Sequence, residues 1–210
     1  MQVNSALELN VLDKISIDLY EKRFSVIDDF LPQKLFKNIC RESRRQHAEG
    51  LTRPAKIGRM ASSRKNTKIR GDKIRWVSKT ETPENVHEVF NIFENLRVHL
   101  RQSLFLPLHD VEHHFAVYPP GAYYRKHLDC HKDINNRVIT FILYLNRKNW
   151  GHANGGQLRV WFDKKETEDF LPKGNRLILF SSPDYYHAVL PCLTNRYSFT
   201  GWFRRTPSLF

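Results

Sequence analysis

From Asp110 onward the chain is broken into short alternating segments rich in β-branched and aromatic residues. They are Val111–Tyr118, Val138–Leu145, Gln157–Phe162, Arg176–Ser181, His187–Leu190 and Arg196–Phe203. Turns rich in Pro, Gly, Asn and Asp separate them, notably Pro119-Pro120-Gly121 and Asn154-Gly155-Gly156. Many short strands at this spacing predict a sandwich or barrel.

The first half reads differently. Phe24-Ser25-Val26-Ile27 suits a short strand, and Asp29 can cap a helix with Pro32 in its first turn. Leu35, Phe36, Ile39 and Cys40 share one face of that helix. A second helix begins near Pro83, with Val86, Val89, Phe90, Phe93, Leu96 and Leu100 at helical spacing. Helices gathered at one end of a sequence pack outside one sheet. The expected organisation is one domain over 1–210. Residues 1–110 form a helix and strand support, and 111–205 the core of a mainly β fold with flanking helices.

A chain of 210 residues can bury a core without staples. Its three cysteines, Cys40, Cys130 and Cys192, are odd in number, far apart and without a C-x-x-C pair, so neither a disulfide framework nor a cysteine zinc site is expected. A reducing cytoplasm suits them. Met1 to Leu12 lacks the pattern of a signal peptide. The longest apolar run, Val138–Leu145, is interrupted by Thr140 and has strand length, so no membrane association is expected. The net charge of +12 is spread over pairs such as Arg44-Arg45, Arg64-Lys65, Lys164-Lys165 and Arg204-Arg205. That admits a solvated basic surface, an acidic protein partner or nucleic acid.

Chemistry enters with His127-Leu128-Asp129. In an extended segment residues i and i+2 share a face, so imidazole and carboxylate converge. Two histidines and one carboxylate with open positions suit ferrous iron, and His187, ahead of a short apolar strand, is the best third ligand. Nine residues later Arg196 stands in an otherwise apolar, aromatic strand. A buried guanidinium needs an anion, and a dicarboxylate offers one that its planar fork grips with two hydrogen bonds. A structural ion pair is the alternative for this arginine. His131 would share the metal-facing side only if the strand continued, and is assigned to solvent or substrate. His113, His114 and His152 read as surface or strand residues.

The order H-x-D, distal His, then Arg resembles that of 2-oxoglutarate/Fe(II) oxygenases. More specifically the chain resembles the prolyl hydroxylase branch, which includes the hypoxia-inducible factor prolyl hydroxylases and their bacterial relatives. The resemblance rests on Ile69-Arg70-Gly71-Asp72-Lys73-Ile74-Arg75-Trp76, Tyr118-Pro119, the H-x-D, Tyr144-Leu145-Asn146, Gly155-Gly156-Gln157-Leu158-Arg159, and Arg196-Tyr197 with Thr200 and Trp202.

It implies a double-stranded β-helix (jelly roll) and a set of roles. His127, Asp129 and His187 would hold Fe(II). Arg196 and Tyr144 would hold the far carboxylate of 2-oxoglutarate. Tyr118 would stand near the co-substrate, and Thr140, Leu158, Thr200 and Trp202 would line the pocket. Arg137 aligns with a substrate-side arginine and is expected to pair with a half-exposed Asp72 at the entrance, behind a closing loop from Gly58 to Lys68. Gly155-Gly156 would make a tight turn before Leu158.

The implied reaction couples oxidative decarboxylation of 2-oxoglutarate, releasing succinate and CO2, to O2-dependent hydroxylation. Ascorbate is a compatible reductant. The expected substrate is a prolyl residue of a protein, with a translation factor as one example from bacterial relatives. Another side chain or a small molecule is the alternative. Nucleic-acid demethylation is disfavoured: Phe115-Ala116-Val117-Tyr118 lacks the Asn-x-Tyr usual in that branch, and Arg204-Arg205 fall too far on. A cupin-like binding module would keep the fold without the turnover.

Overall fold

A computed structural model of the chain describes residues 9–55, 68–130, 136–163 and 166–205. Its strands, numbered in chain order, form two antiparallel sheets. The larger has seven strands in the order β1 (Phe24–Ile27), β9 (Leu177–Ser181), β6 (Arg137–Tyr144), β11 (Arg196–Arg204), β4 (Asp110–Tyr118), β3 (Lys73–Trp76) and β2 (Arg53–Pro54). The smaller runs β5 (Tyr124–His127), β10 (Tyr186–Val189), β7 (Leu158–Trp161) and β8 (Thr167–Phe170). The architecture is the expected double-stranded β-helix, mainly β with flanking helices.

Period-two alternation decides what each strand offers. On β6, Ile139, Phe141 and Leu143 face a helical layer, while Ile142 and Tyr144 face the small sheet. On β11, Phe199 and Phe203 join the helix-side core, which leaves Arg196, Ser198, Thr200 and Trp202 on the cavity side. Gly201 lies under this packing: a Cβ there would stand 2.2 Å from Glu112 O and 2.4 Å from Phe141 Cζ.

The helical layer comprises α1 (Leu9–Lys22), α2 (Gln33–Ala48) and α3 (His87–Leu104). Val89, Phe93, Leu96 and Leu100 of α3 are fully buried, and Phe93 stacks on Phe141 at 4.4 Å. A short 3-10 turn, Glu84–Val86, leads from Pro83 into α3, near the predicted start. The start of α2 differs from expectation. Asp29 does not cap it; Asp29 occupies a turn at φ 55, and the helix begins only after Pro32. Asn175 instead ties down the approach, through Leu31 N at 2.9 Å and Leu31 O at 2.8 Å. Helix α1 and strands β2, β3 and β8 go beyond the predicted elements. No helix among the described residues is long and apolar enough to cross a membrane. The expected loop over 58–67, His131 and Lys164-Lys165 lie outside the described residues.

Candidate functional site

Strands β5 and β10 pair so that His127 and His187 stand opposite each other. The expectation of one extended strand through the H-x-D is modified: β5 ends at His127, and Asp129 follows in a bend. The convergence survives. His127 Nε2 lies 3.5 Å from Asp129 Oδ1, His187 Nε2 lies 3.5 Å from Asp129 Oδ2, and the three ligand atoms are within 4.8 Å of one another.

Backbone carbonyls fix the histidine faces. His127 Nδ1 lies 2.8 Å from Arg125 O and His187 Nδ1 lies 3.2 Å from Tyr185 O. A carbonyl only accepts, so each Nδ1 carries the proton and each Nε2 presents a lone pair to the centre. Burial, reinforced by His127, lowers the pKa of His187 to about 4, so it is neutral at pH 7. Burial opposes ionisation of Asp129, but in acid its attraction to protonated His187, with the His127 hydrogen bond, outweighs it and holds the carboxyl well below its usual range, so the carboxylate is already formed when His187 loses its proton. One ionised carboxylate and two imidazole lone pairs form an N/O donor set suited to a divalent metal.

The cluster opens into a cavity of about 700 Å³ lined from both sheets. Arg196 lies in its wall, 1% exposed, with Nε donating to Gly156 O at 2.9 Å. No carboxylate among the described residues forms an ion pair with it. Arg196 Nη2 and Tyr144 Oη are buried without hydrogen-bond partners. The guanidinium carbon is 4.9 Å from the Tyr144 ring centroid and 5.0 Å from that of Tyr118. Burial raises the pKa of Tyr144 despite Arg196, so its hydroxyl remains a neutral donor. Two orphaned donors, one charged, fit an anionic ligand carboxylate and leave the structural ion-pair alternative unsupported. Gly155 and Gly156 have φ of 65 and 72. A Cβ on Gly156 would stand 2.9 Å from both Arg196 Cδ and Cys192 Sγ. The predicted turn is therefore also a close approach to the anchor.

Tyr118, Thr140, Leu158, Thr200 and Trp202 all line the cavity; Tyr144 stands beside Arg196, outside that lining. The expected Asp72–Arg137 pair is corrected. Arg70 takes Asp72, through Nε–Oδ1 at 2.7 Å and Nη2–Oδ2 at 2.6 Å. Arg137 goes to Glu112, through Nε at 3.0 Å and Nη2 at 2.9 Å, and lies over the Trp202 ring at 3.5 Å. Asp72 is 2% exposed rather than half-exposed. The physical reason is local: Arg70 is two residues away on the same segment, and Glu112 also braces Arg204 at 2.9 Å.

Sequence reasoning missed three participants. His114 is a strand residue, but it faces the cavity, stacked on Trp202 at 5.4 Å and beside Trp76 at 4.9 Å. Its shared parity with Tyr118 and Ala116 could have revealed this. Tyr124 stacks on His127 at 3.6 Å, and Glu112 holds Arg137; neither carries a local signal.

The sequence profile described as the 2OG-Fe(II) oxygenase superfamily matches residues 113–204. Mouse "Prolyl hydroxylase EGLN3" is 28% identical over 204 residues, covering 91% of this chain and 84% of that protein. Human "Egl nine homolog 1" is 32% identical over 186 residues, 85% of this chain and 43% of that protein. The crystal structure of a Pseudomonas putida prolyl-4-hydroxylase superposes with a TM-score of 0.82 at 38% identity, covering 93% of this chain and 99% of that one. A prolyl hydroxylase from Trichoplax adhaerens, solved with a hypoxia-inducible factor peptide fragment, shares the fold with a TM-score of 0.84 at 23% identity.

Proposed function

Because the chain belongs to the prolyl hydroxylase family of the 2OG-Fe(II) oxygenase superfamily, we propose that it hydroxylates a prolyl residue of a protein substrate. The observation that carries this reading is the pairing of two half-sites in one fold. The His127, Asp129 and His187 cluster opens onto the cavity beside the orphaned donors of Arg196 and Tyr144.

That geometry supports a role for each residue. His127, Asp129 and His187 would hold Fe(II), with their two Nε2 atoms and one carboxylate as donors. Arg196 and Tyr144 would bind the distal carboxylate of 2-oxoglutarate, the arginine with charge-assisted bonds and the tyrosine with a neutral one. When bound, iron, 2-oxoglutarate and O2 supply the oxidation that hydroxylates the substrate while succinate and CO2 are released. Tyr118, Thr140, Leu158 and Thr200 shape the chamber around the co-substrate. Trp202, fixed by Arg137 and His114, forms the wall against which a target side chain packs and from which water is excluded. Ascorbate fits as a reductant that keeps the metal ferrous. Cys40 and Cys192, both buried and outside any disulfide, fit a cytoplasmic setting, and a translation factor is one protein substrate consistent with the reading.

The test is a lysate incubated with the protein, Fe(II) and 2-oxoglutarate, followed by peptide mass spectrometry. Proline gaining the mass of one oxygen atom, only when 2-oxoglutarate is present, is the expected result. Stoichiometric succinate with oxygen on another side chain would move the substrate class. Absence of succinate with any protein, peptide or small molecule would leave a binding module.

A further inference from the structure

Tyr124 takes no part in the roles above, yet it touches a metal ligand. The His127 imidazole lies parallel to its ring, centroids 3.6 Å apart and planes 16° apart. The Arg70 guanidinium carbon lies 4.3 Å from the same centroid. With the imidazole against one face, a group that close has room only on the other. Arg70 is itself fixed by two charge-assisted hydrogen bonds to Asp72, whose side chain is fully buried. The stack therefore runs from a buried ion pair, through a phenol ring, to an imidazole.

The backbone supports the same column. Arg70 and Tyr124 form an antiparallel bridge, with Gly71 N donating to Tyr123 O and Arg125 N to Ile69 O, both at 2.9 Å. Arg125 is also the residue whose carbonyl receives His127 Nδ1–H. That bond leaves the ring free to rock about the Nδ1–H···O axis. A flat surface held against the imidazole removes that freedom, and an aliphatic neighbour would not.

We propose that Tyr124, clamped by the Arg70–Asp72 pair, is a positioning residue that locks the His127 imidazole plane so that Nε2 stays aimed at the metal. This rests on the metal-site reading given above. The ring face is what matters, so the phenol hydroxyl is dispensable. Outer-shell partners of a ligating histidine typically govern metal affinity by about 10- to 100-fold.

The experiment is titration of metal-free protein with Mn(II), following free Mn(II) by electron paramagnetic resonance, alongside the melting temperature of each metal-free variant. Y124F should bind Mn(II) within about twofold of the parent. Y124L should bind at least about tenfold more weakly, while its metal-free melting temperature falls by only a few degrees. If Y124L does not fold, Y124M replaces it, because Met fills the space without a planar face. Parental affinity in the leucine or methionine variant would overturn the proposal, as would equal weakening in Y124F. Failure of the parent protein to bind Mn(II) would instead remove the metal-site reading, which separates the two.

Discussion

Thr140 Oγ1 donates a 2.9 Å hydrogen bond to Asp129 Oδ2. Having given its proton to the carboxylate, Thr140 must accept in its 2.9 Å contact with Ser182 Oγ. A chain of two hydroxyls thus orients Asp129 from the large sheet, while both histidines come from the small one. Thr140→Val should weaken Mn(II) or Fe(II) binding by about tenfold and cost about 1 kcal/mol of stability. Calorimetric titration and denaturant unfolding measure the two. Unchanged metal affinity would mean that the histidines alone orient the carboxylate.

Removal of the carboxylate is the stronger perturbation. Asp129→Ala deletes the one anionic donor of the cluster, and should abolish succinate production and metal binding together. Wild-type iron affinity and succinate release in that variant would dismiss the site.

Arg196 and Tyr144 should separate by magnitude. Arg196→Ala removes the charged donor from a buried site, where truncating one partner of a charge pair costs about 2–5 kcal/mol. The 2-oxoglutarate KM should rise at least about thirtyfold. Tyr144→Phe removes one neutral donor, worth about 1 kcal/mol, so about fivefold is expected. Equal small effects in steady-state assays would place the co-substrate elsewhere.

The Arg70–Asp72 pair carries a stability prediction. A half-exposed pair would contribute only about 0.2–1 kcal/mol. This one is buried, with side-chain exposures of 15% and 0%. Asp72→Ala would strand the guanidinium, and breaking such a pair costs about 3 kcal/mol. Urea unfolding checks it; a loss under 1 kcal/mol would show that Arg70 finds solvent or another partner.

Acid should destabilise the fold partly through His114. Burial, with help from Arg70 and Arg137, depresses its pKa to about 3. The unfolded chain takes up this proton near pH 6.5, while the folded chain resists until about pH 3. Stability is therefore intact above pH 6.5 and falls as pH drops toward 3. One such group contributes a slope of about 1.4 kcal/mol per pH unit within that window. His114→Phe should flatten unfolding free energy against pH by that amount between pH 6 and 4. An unchanged slope would show that His114 protonates freely in the native state.

Much of this was legible in the chain. The six alternating segments became β4, β6, β7, β9, β10 and β11 within a residue or two, because short runs of β-branched and aromatic residues bounded by turn residues mark strands even where both faces are covered. The His127, Asp129 and His187 convergence was legible because the chemistry needs unusual residue types. Partner choice was not. Asp72 and Arg137 are both real elements of the site, but whether they meet depends on competitors, and Arg70 and Glu112 were nearer. Helix α1 escaped because Leu9, Ile17 and Tyr20 are exposed, which blurs its apolar stripe. Strands β2 and β8 escaped because they are short and mostly exposed, with no core face to write a pattern.

Strand β11 carries Arg196 at one station and Trp202 six residues on, roughly 20 Å along a strand. Ser198 and Thr200 between them face the chamber, while Phe199 is sealed into the helix-side core and Tyr197 packs against it. A single inserted or deleted residue inside β11 would put the residues on its two sides out of phase, so that either Arg196 turned toward the helix-side core or Phe203 turned into the chamber. Change in this protein is thereby channelled: the strand can vary by substitution, one rung at a time, while variation in length is confined to the turns that join one strand to the next.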